Sequence, residues 1–190
     1  MSKKIKIGLD FDGVVAYNPF RIIRAPISFV KKKIYGPGHL SFFVPKTPME
    51  KLLWTIIHES SFFPGLGIDR LRHLVESEGV EAHLITARFG FLENNLLSWL
   101  TAHHLRHLFT TINVNHKNEQ PHLYKEAVVR KLGLDYYVED NLDIVSHLVS
   151  QKIPTRVLWI YNVLDRSKSY RDKYPYVGKA LEAIEKEISV

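Results

Sequence analysis

The chain has 190 residues, which suits one domain with room for a small insertion. Hydrophobic residues make up 45% and charged residues 24%, as in globular proteins with one sizeable core, and the absence of cysteine excludes disulfides and thiolate metal sites. Lys and Arg number 26 against 20 Asp and Glu, a net charge of +6. This excess fits either an ordinary basic surface or attraction of anionic partners such as phosphorylated metabolites or nucleic acid.

The first apolar run of the chain is short, and Asp10 and Asp12 interrupt it. It falls short of the about 7–15 uninterrupted apolar residues that a signal peptide needs. No stretch reaches the roughly 20 apolar residues of a membrane span. We therefore expect a cytoplasmic protein with no membrane partner.

Strand and helix patterns alternate along most of the chain. Alternating or β-branched and aromatic segments predict strands at residues 4–10, 81–87, 108–115, 135–140 and 156–161. Apolar residues on one helical face predict helices at residues 69–78, 91–104, 121–132, 141–151 and 177–188. This alternation predicts an α/β fold, a three-layer, Rossmann-like arrangement in which helices cover both faces of a parallel sheet. Ligands of such folds bind at the carboxyl ends of the strands.

The segment from 16 to 63 interrupts this rhythm, because a strand-to-helix connection usually takes about 2–6 residues. We predict that it is a small helical subdomain, and that residues 1–15 and 64–190 form the core domain. Within it, the sequence PMEKLLWTIIHE at 48–59 predicts a helix. The apolar positions that this helix should largely bury are Leu52, Leu53, Ile56 and Ile57.

Two aspartates, Asp10 and Asp12, end the first strand and project to the same side of it. Two adjacent carboxylates repel each other, so the pair needs a cation or a shared proton. Carboxylate oxygens suit Mg²⁺, and Gly13 lets the backbone turn and direct N–H groups toward an anion. The alternative is a surface turn that simply favours Asp and Gly.

Polar residues also end two further strands. Thr86 ends the second, with Arg88 just beyond it, and Glu139 and Asp140 end the fourth, with Asp143 in the following turn. Singly, such residues can be helix caps or charges at a helix N-terminus. Three polar strand ends on the binding edge of one sheet predict a shared site.

The chain resembles the haloacid dehalogenase (HAD) superfamily of phosphohydrolases in four motifs, which occur in the family's order. They are DFDGVV, LITAR, a lysine that opens a helix before the fourth strand, and VEDNLD. The resemblance spans residues 5 to about 161. It implies a HAD-type core and makes the 16–63 segment a cap, which in this family closes over the substrate and carries specificity.

The resemblance also implies the role of each motif residue. Asp10 would attack phosphorus and become an aspartyl phosphate, while Asp12 would protonate the leaving oxygen and then activate water. Mg²⁺ would be held by Asp10, by the backbone carbonyl of Asp12 and by Asp140, and Thr86 and the motif lysine would hold the phosphoryl group. An aspartate two residues after the nucleophile favours a phosphatase over a dehalogenase. The implied substrate contacts are Gly13, Ala87 and Arg88.

Two assignments within the motifs stay open. Lys125 lies 14 residues before Glu139, a spacing that resembles nucleotidase-like relatives, whereas Lys117 matches relatives with a longer spacing. We favour Lys125. Relatives often have two aspartates or a glycine–aspartate pair where this chain has Glu139–Asp140, so Glu139 and Asp143 are both candidates for indirect or water-mediated contact with the metal.

The predicted cap contains both cations and aromatic side chains. Together they can stack a flat group and hold a phosphate; alternatively, the aromatic residues form the cap's own core and the lysines a solvated face. The cations are Arg21, Arg24, Lys31, Lys32 and Lys33. The aromatic residues are Tyr17, Phe20, Phe29, Tyr35, Phe42, Phe43 and Trp54.

These features predict a Mg²⁺-dependent phosphomonoesterase whose partner is a small phosphorylated substrate. By analogy the substrate is a nucleotide, as in 5′(3′)-deoxyribonucleotidases; sugar phosphates and other small phosphoesters are alternatives. A second class is a non-catalytic module that binds nucleic acid or protein through a basic cap. We favour the enzyme, and do not expect a nucleic-acid partner, because all four motifs carry reactive residues. The sequence does not define the oligomeric state.

Overall fold

A computed structural model describes residues 4–17, 45, 47–59 and 61–188, with side chains for all of these except 56–59. Several predictions for the cap therefore lie outside the described residues and side chains. They concern the cations at 21, 24 and 31–33, the aromatic residues at 20, 29, 35, 42 and 43, and the isoleucines at 56 and 57.

The core of the fold is a six-stranded parallel sheet in the order β5-β4-β1-β6-β7-β8. The described strands are β1 (Lys6–Leu9), β2 (Ala16–Tyr17), β3 (Phe63–Pro64), β4 (Glu81–Phe89), β5 (Phe109–Asn115), β6 (Tyr136–Glu139), β7 (Arg156–Ile160) and β8 (Lys173–Tyr174). The five longer strands confirm the five predicted ones. Strands β2, β3 and β8 were not predicted because two residues are too few to show a period.

In the part of the chain that the structure describes, six helices accompany the strands, each at a predicted position. They are α1 (Pro48–Glu59), α2 (Asp69–Glu76), α3 (Glu93–Ala102), α4 (Pro121–Leu132), α5 (Leu142–Ser150) and α6 (Val177–Ile188). Helix α4 shows why the helix positions could be predicted from the sequence. Pro121 begins this helix, and Gly133 ends it with a left-handed φ of 59°. None of the helices in the described part has both the length and the apolar content needed to cross a bilayer.

Helices pack on both faces of the sheet and form two separate apolar clusters. The cluster under α2, α3 and α6 includes Leu71, Leu74, Leu96, Leu100, Leu181 and Ile184, all essentially buried. The cluster under α4 and α5 includes Val129, Ile144, Val145 and Leu148. This confirms the predicted three-layer α/β arrangement, with β1 in the middle of the sheet.

The two ends of the predicted cap meet beside the core, where Ala16 and Tyr17 of β2 pair antiparallel with β3. Helix α1 is capped by Thr47 and touches the core through Trp54, whose ring lies 6.2 Å from that of Phe89. Leu52 and Leu53 are each 55% exposed, so the prediction that they are buried is wrong. Helical periodicity shows which residues share a face but not whether a partner covers it. The limits of 16–63 as a cap domain stay a prediction.

Candidate active site

The carboxyl ends of β1, β4 and β6 lie side by side, because β1 pairs with both neighbours in parallel register. The register places Leu9 opposite Leu84 on one side and Val138 on the other. Asp10 continues this pairing, since its N–H donates to the carbonyl of Val138 at 2.9 Å. The polar residues that end these three strands therefore share one edge of the sheet.

The turn after β1 is held by its own backbone and by Asp10. The Phe11 N–H donates to Asp10 Oδ1 at 2.8 Å, and the Gly13 N–H donates to the carbonyl of Ala16 at 2.7 Å. Gly13 has a φ of 86°, a conformation that strongly favours glycine. The amide of Gly13 thus serves the turn, and a substrate contact by this residue stays a prediction.

Lys125 brings a cation to the acidic edge from α4. Its side chain is almost fully buried, and its ammonium lies 3.0 Å from Asp10 Oδ2 and 2.7 Å from Glu139 Oε2. Burial alone would lower the pKa of Lys125, but the Asp10 and Glu139 charges outweigh it and raise the pKa above its ordinary value. The alternative lysine, Lys117, is exposed in the turn between β5 and α4. Of the two candidates, Lys125 is the one that contacts both Asp10 and Glu139.

Glu139 is fully buried and has three donors. Besides Lys125, the Tyr137 hydroxyl donates to its Oε2 at 2.9 Å, and the Asn141 N–H donates to its Oε1 at 3.0 Å. Burial raises the pKa of the Tyr137 hydroxyl well above its ordinary value, and the nearby Glu139 charge raises it further. The sequence interpretation missed Tyr137. Its position two residues before Glu139, on the same face of one strand, was the available signal.

Three carboxylates could hold a metal ion at this edge. Asp10, Glu139 and Asp140 each offer an oxygen, and these oxygens lie within 4.8 Å of one another. Burial raises the pKa of Asp10 well above its ordinary value, the Glu139 charge adds to this, and Lys125 opposes it. A set of crowded carboxylate oxygens fits a hard divalent cation such as Mg²⁺, which would relieve their repulsion.

The side chains of Asp12 and Asp143 are not part of this group of oxygens. Asp143 lies in the first turn of α5, where its N–H donates to Asn141 Oδ1. Of the two candidates for indirect metal contact, Glu139 is the one whose carboxylate joins Asp10 and Asp140. The predicted metal contact of Asp12 through its backbone carbonyl stays a prediction.

Asp12 is buried, and among the described residues the side chains of Arg88 and Ser61 donate hydrogen bonds to it. Arg88 donates to it twice, from Nε to Oδ2 at 2.9 Å and from Nη2 to Oδ1 at 2.7 Å, and the Ser61 hydroxyl donates to Oδ1 at 3.0 Å. Arg88 was predicted to contact substrate, and the structure pairs its guanidinium with Asp12. The sequence interpretation missed Ser61, because nothing in the sequence distinguishes a serine outside the motifs as a contact of Asp12.

Thr86 completes the polar edge at the end of β4. It is 1% exposed, and its hydroxyl oxygen accepts the N–H of Arg88 at 3.1 Å. Ala87, between them, is half-buried. The structure thus carries Thr86 and Arg88 on the strand next to β1, toward the same edge of the sheet as Asp10.

A cavity of about 560 Å³ lies where α1 approaches the carboxyl ends of β4 and β5. Its lining includes Lys51 from α1, Phe89 and Phe91 after β4, and His116 and Asn118 after β5. The two phenyl rings stack with centroids 5.8 Å apart, and the Lys51 ammonium lies 5.9 Å from the Phe91 centroid. This combination of aromatic surface and positive charge suits an anionic, partly flat ligand.

No protein-family model and no curated protein sequence matches this chain. Solved structures do match. A HAD-superfamily hydrolase from Ehrlichia chaffeensis is 14% identical with a TM-score of 0.55, covering 98% of this chain and 100% of its own. CbbY from Rhodobacter sphaeroides, in complex with phosphate, is 13% identical with a TM-score of 0.61, covering 95% and 100%. β-Phosphoglucomutase from Clostridium difficile is 14% identical with a TM-score of 0.61, covering 98% of each chain.

Sequence identities this low do not assign roles to individual residues. The matched regions nevertheless cover nearly all of this chain and of each similar structure. The likeness therefore concerns the fold of the whole chain and not a shared fragment. Together with the six-stranded parallel sheet and its flanking helices, it shows that this chain has the fold of HAD-superfamily hydrolases.

Proposed function

We propose that the protein is a Mg²⁺-dependent phosphomonoesterase that works through an aspartyl phosphate on Asp10. The observation that carries the proposal is the contact of one buried cation, Lys125, with both Asp10 and Glu139 beside a further carboxylate, Asp140. A cation at the nucleophile and a cluster of metal-binding oxygens are what transfer of an anionic phosphoryl group requires.

The proposed reaction has two steps. In the first, a carboxylate oxygen of Asp10 bonds to phosphorus, the bond between phosphorus and the ester oxygen breaks, and Asp12 gives its proton to that oxygen. In the second, Asp12 takes a proton from water, the water oxygen bonds to phosphorus, and the bond from phosphorus to Asp10 breaks. The products are an alcohol and inorganic phosphate.

Charge stabilisation is assigned to residues around Asp10. In this proposal the Lys125 ammonium and the Thr86 hydroxyl interact with the oxygens of the transferring phosphoryl group. Asp10, Asp140 and the Asp12 carbonyl would hold Mg²⁺, which when bound supplies positive charge to those oxygens. Glu139 orients Lys125, because its carboxylate is itself held by Tyr137 and Asn141.

For the substrate we propose a nucleotide. The cavity near β4 supports this, because Phe91, which stacks on the buried Phe89, offers aromatic surface and Lys51 a cation. Sugar phosphates are the second candidate, because β-phosphoglucomutase from Clostridium difficile has a similar fold. Both classes are phosphomonoesters and need the same chemistry at Asp10.

Phosphate release from deoxyribonucleotides, ribonucleotides and sugar phosphates, with and without Mg²⁺, tests this function. Asp10→Asn should lower the turnover of the preferred substrate by at least about 10³-fold and abolish the mass increase of one phosphoryl group on the wild-type protein. Asp69→Asn, at an exposed aspartate in the first turn of α2, is the matched control. Full Mg²⁺-dependent phosphate release by Asp10→Asn would reject the proposal.

A further inference from the structure

We infer that Arg88 is a positioning residue, which together with Ser61 fixes the orientation of the Asp12 carboxylate and does not bind the phosphoryl group. The inference rests on the proposed function, since it assigns Asp12 the proton transfers of that reaction.

The geometry of the pair is that of a fork. Two nitrogens of Arg88 each meet a different oxygen of Asp12, at 2.9 Å and 2.7 Å. A bidentate pair of this kind fixes the plane of the Asp12 carboxylate as well as its distance from the Arg88 guanidinium. Arg88 is 5% exposed and Asp12 6%, so little solvent screens the contact.

Arg88 is itself held in place by its surroundings. Its guanidinium carbon lies 4.5 Å from the centroid of the Phe11 ring, and that ring packs edge-on against Trp99 with centroids 5.0 Å apart. Its backbone N–H donates to the Thr86 hydroxyl oxygen. A guanidinium stacked on a buried ring and tied to the end of β4 can impose a direction on Asp12.

Ser61 holds the same carboxylate from another part of the chain. Its hydroxyl donates to Asp12 Oδ1 at 3.0 Å, and it is 2% exposed. Ser61 precedes β3, the strand that pairs with β2 at the base of the 16–63 segment. Asp12 is thus fixed both by the core strand β4 and by the chain that returns from the predicted cap.

Orientation matters because a general acid must lie within hydrogen-bond reach of the oxygen it protonates. Protonation helps most when the leaving oxygen is strongly basic and hardly at all when it leaves readily as an anion. A positioning defect at Asp12 should therefore appear as a loss of rate that grows with the pKa of the leaving alcohol. A lost phosphoryl contact would lower the rate equally for all leaving groups.

The test is kcat/KM for a series of aryl phosphates and one alkyl phosphate. For Arg88→Met we expect a loss of only about 3-fold with dinitrophenyl phosphate, rising to about 10²-fold or more with the alkyl phosphate. Asp12→Asn should show the same trend. In the Asp12→Asn background, Arg88→Met should cost no further activity, as a double-mutant cycle requires when one residue acts through the other.

Two further variants keep the test decisive if Arg88→Met fails to fold because it removes the cation beside the buried Asp12 carboxylate. The double variant Asp12→Asn/Arg88→Met removes both charges, and Ser61→Ala removes only one hydrogen bond. Ser61→Ala should show the same dependence on leaving group with a smaller loss, about 3- to 10-fold for the alkyl phosphate. Arg72→Met, at a surface arginine of α2, should match wild type throughout.

The outcomes separate this inference from the proposed function. Suppose first that turnover depends on Asp10. If the Arg88→Met loss is then uniform across leaving groups, or if inorganic phosphate inhibits Asp12→Asn/Arg88→Met less strongly than Asp12→Asn, Arg88 binds the phosphoryl group. In that case the inference is wrong and the proposed function stands. If phosphate release does not depend on Asp10, or wild type releases none, the proposed function and the inference fall together.

Discussion

The ammonium group of Lys125 lies 3.0 Å from the Asp10 carboxylate. The same ammonium donates to Glu139, so two buried carboxylates share one buried cation. Burial and Glu139 raise the pKa of Asp10, and Lys125 opposes that rise. Lys125 therefore favours the ionised form of Asp10, which is the form that can attack phosphorus.

Replacing Lys125 by Met should impair both activity and folding. We expect a fall in kcat/KM of about 10²- to 10³-fold, because a preorganised cation at the phosphoryl group is lost. The free energy of unfolding should fall by about 3–5 kcal/mol, because two carboxylates stay buried without their shared partner. Steady-state kinetics and urea denaturation measure the two effects.

Lys117→Met is the matched control for this prediction, because Lys117 is exposed. It should leave kcat/KM unchanged and alter the free energy of unfolding by less than about 0.5 kcal/mol. If Lys117→Met lost more activity than Lys125→Met, the assignment of the motif lysine to Lys125 would be wrong.

The choice between these lysines shows what the sequence could predict. Spacing along a helix favoured Lys125, and the structure places its ammonium beside Asp10 and Glu139, because a short segment with regular period has a nearly fixed geometry. The contact between Arg88 and Asp12 joins residues 76 positions apart, and no local pattern encodes such a distance. The burial of Leu52 and Leu53 was predicted wrongly for the same reason, since a partner surface is not a property of one helix.

Mg²⁺ should stabilise the folded protein apart from any role in turnover. Asp10, Glu139 and Asp140 crowd their oxygens within 4.8 Å, and a divalent cation would relieve this repulsion in the folded state. At about 100 times its dissociation constant, Mg²⁺ should add about 2.7 kcal/mol to the free energy of unfolding. Asp140→Asn should lose most of this gain. NaCl at the same ionic strength is the control, and an equal gain with NaCl would contradict a specific metal site.

Glu139→Gln should weaken Mg²⁺ binding by about 10-fold or more, even if Glu139 contacts the metal only indirectly. Its carboxylate lies beside Asp10 and Asp140 and holds Lys125 in place. Asp143→Asn is the matched control, because the Asp143 carboxylate is not part of that oxygen cluster. Calorimetric titration with Mg²⁺ measures the dissociation constant of the metal for both variants and for wild type. A larger loss of affinity in Asp143→Asn would assign the supporting role to Asp143.

His83 should make folding sensitive to mild acid. It lies in β4 with its Nδ1 2.9 Å from Thr111 Oγ1 and only 3% of the residue exposed. Burial lowers the pKa of His83 below its ordinary value of 6.5. The unfolded chain then binds a proton more tightly than the folded protein. Stability is therefore full above pH 6.5 and falls as the pH drops from there through the lower pKa of the folded state.

Urea denaturation at about pH 7.5 and about pH 5 measures this effect. His83→Gln should reduce the loss of stability between the two pH values, because it removes one group that resists protonation in the folded state. Part of the loss should persist, since burial also lowers the pKa of His122. His107→Gln, at an imidazole that is 56% exposed, is the control. An identical pH dependence in wild type and His83→Gln would show that His83 does not contribute.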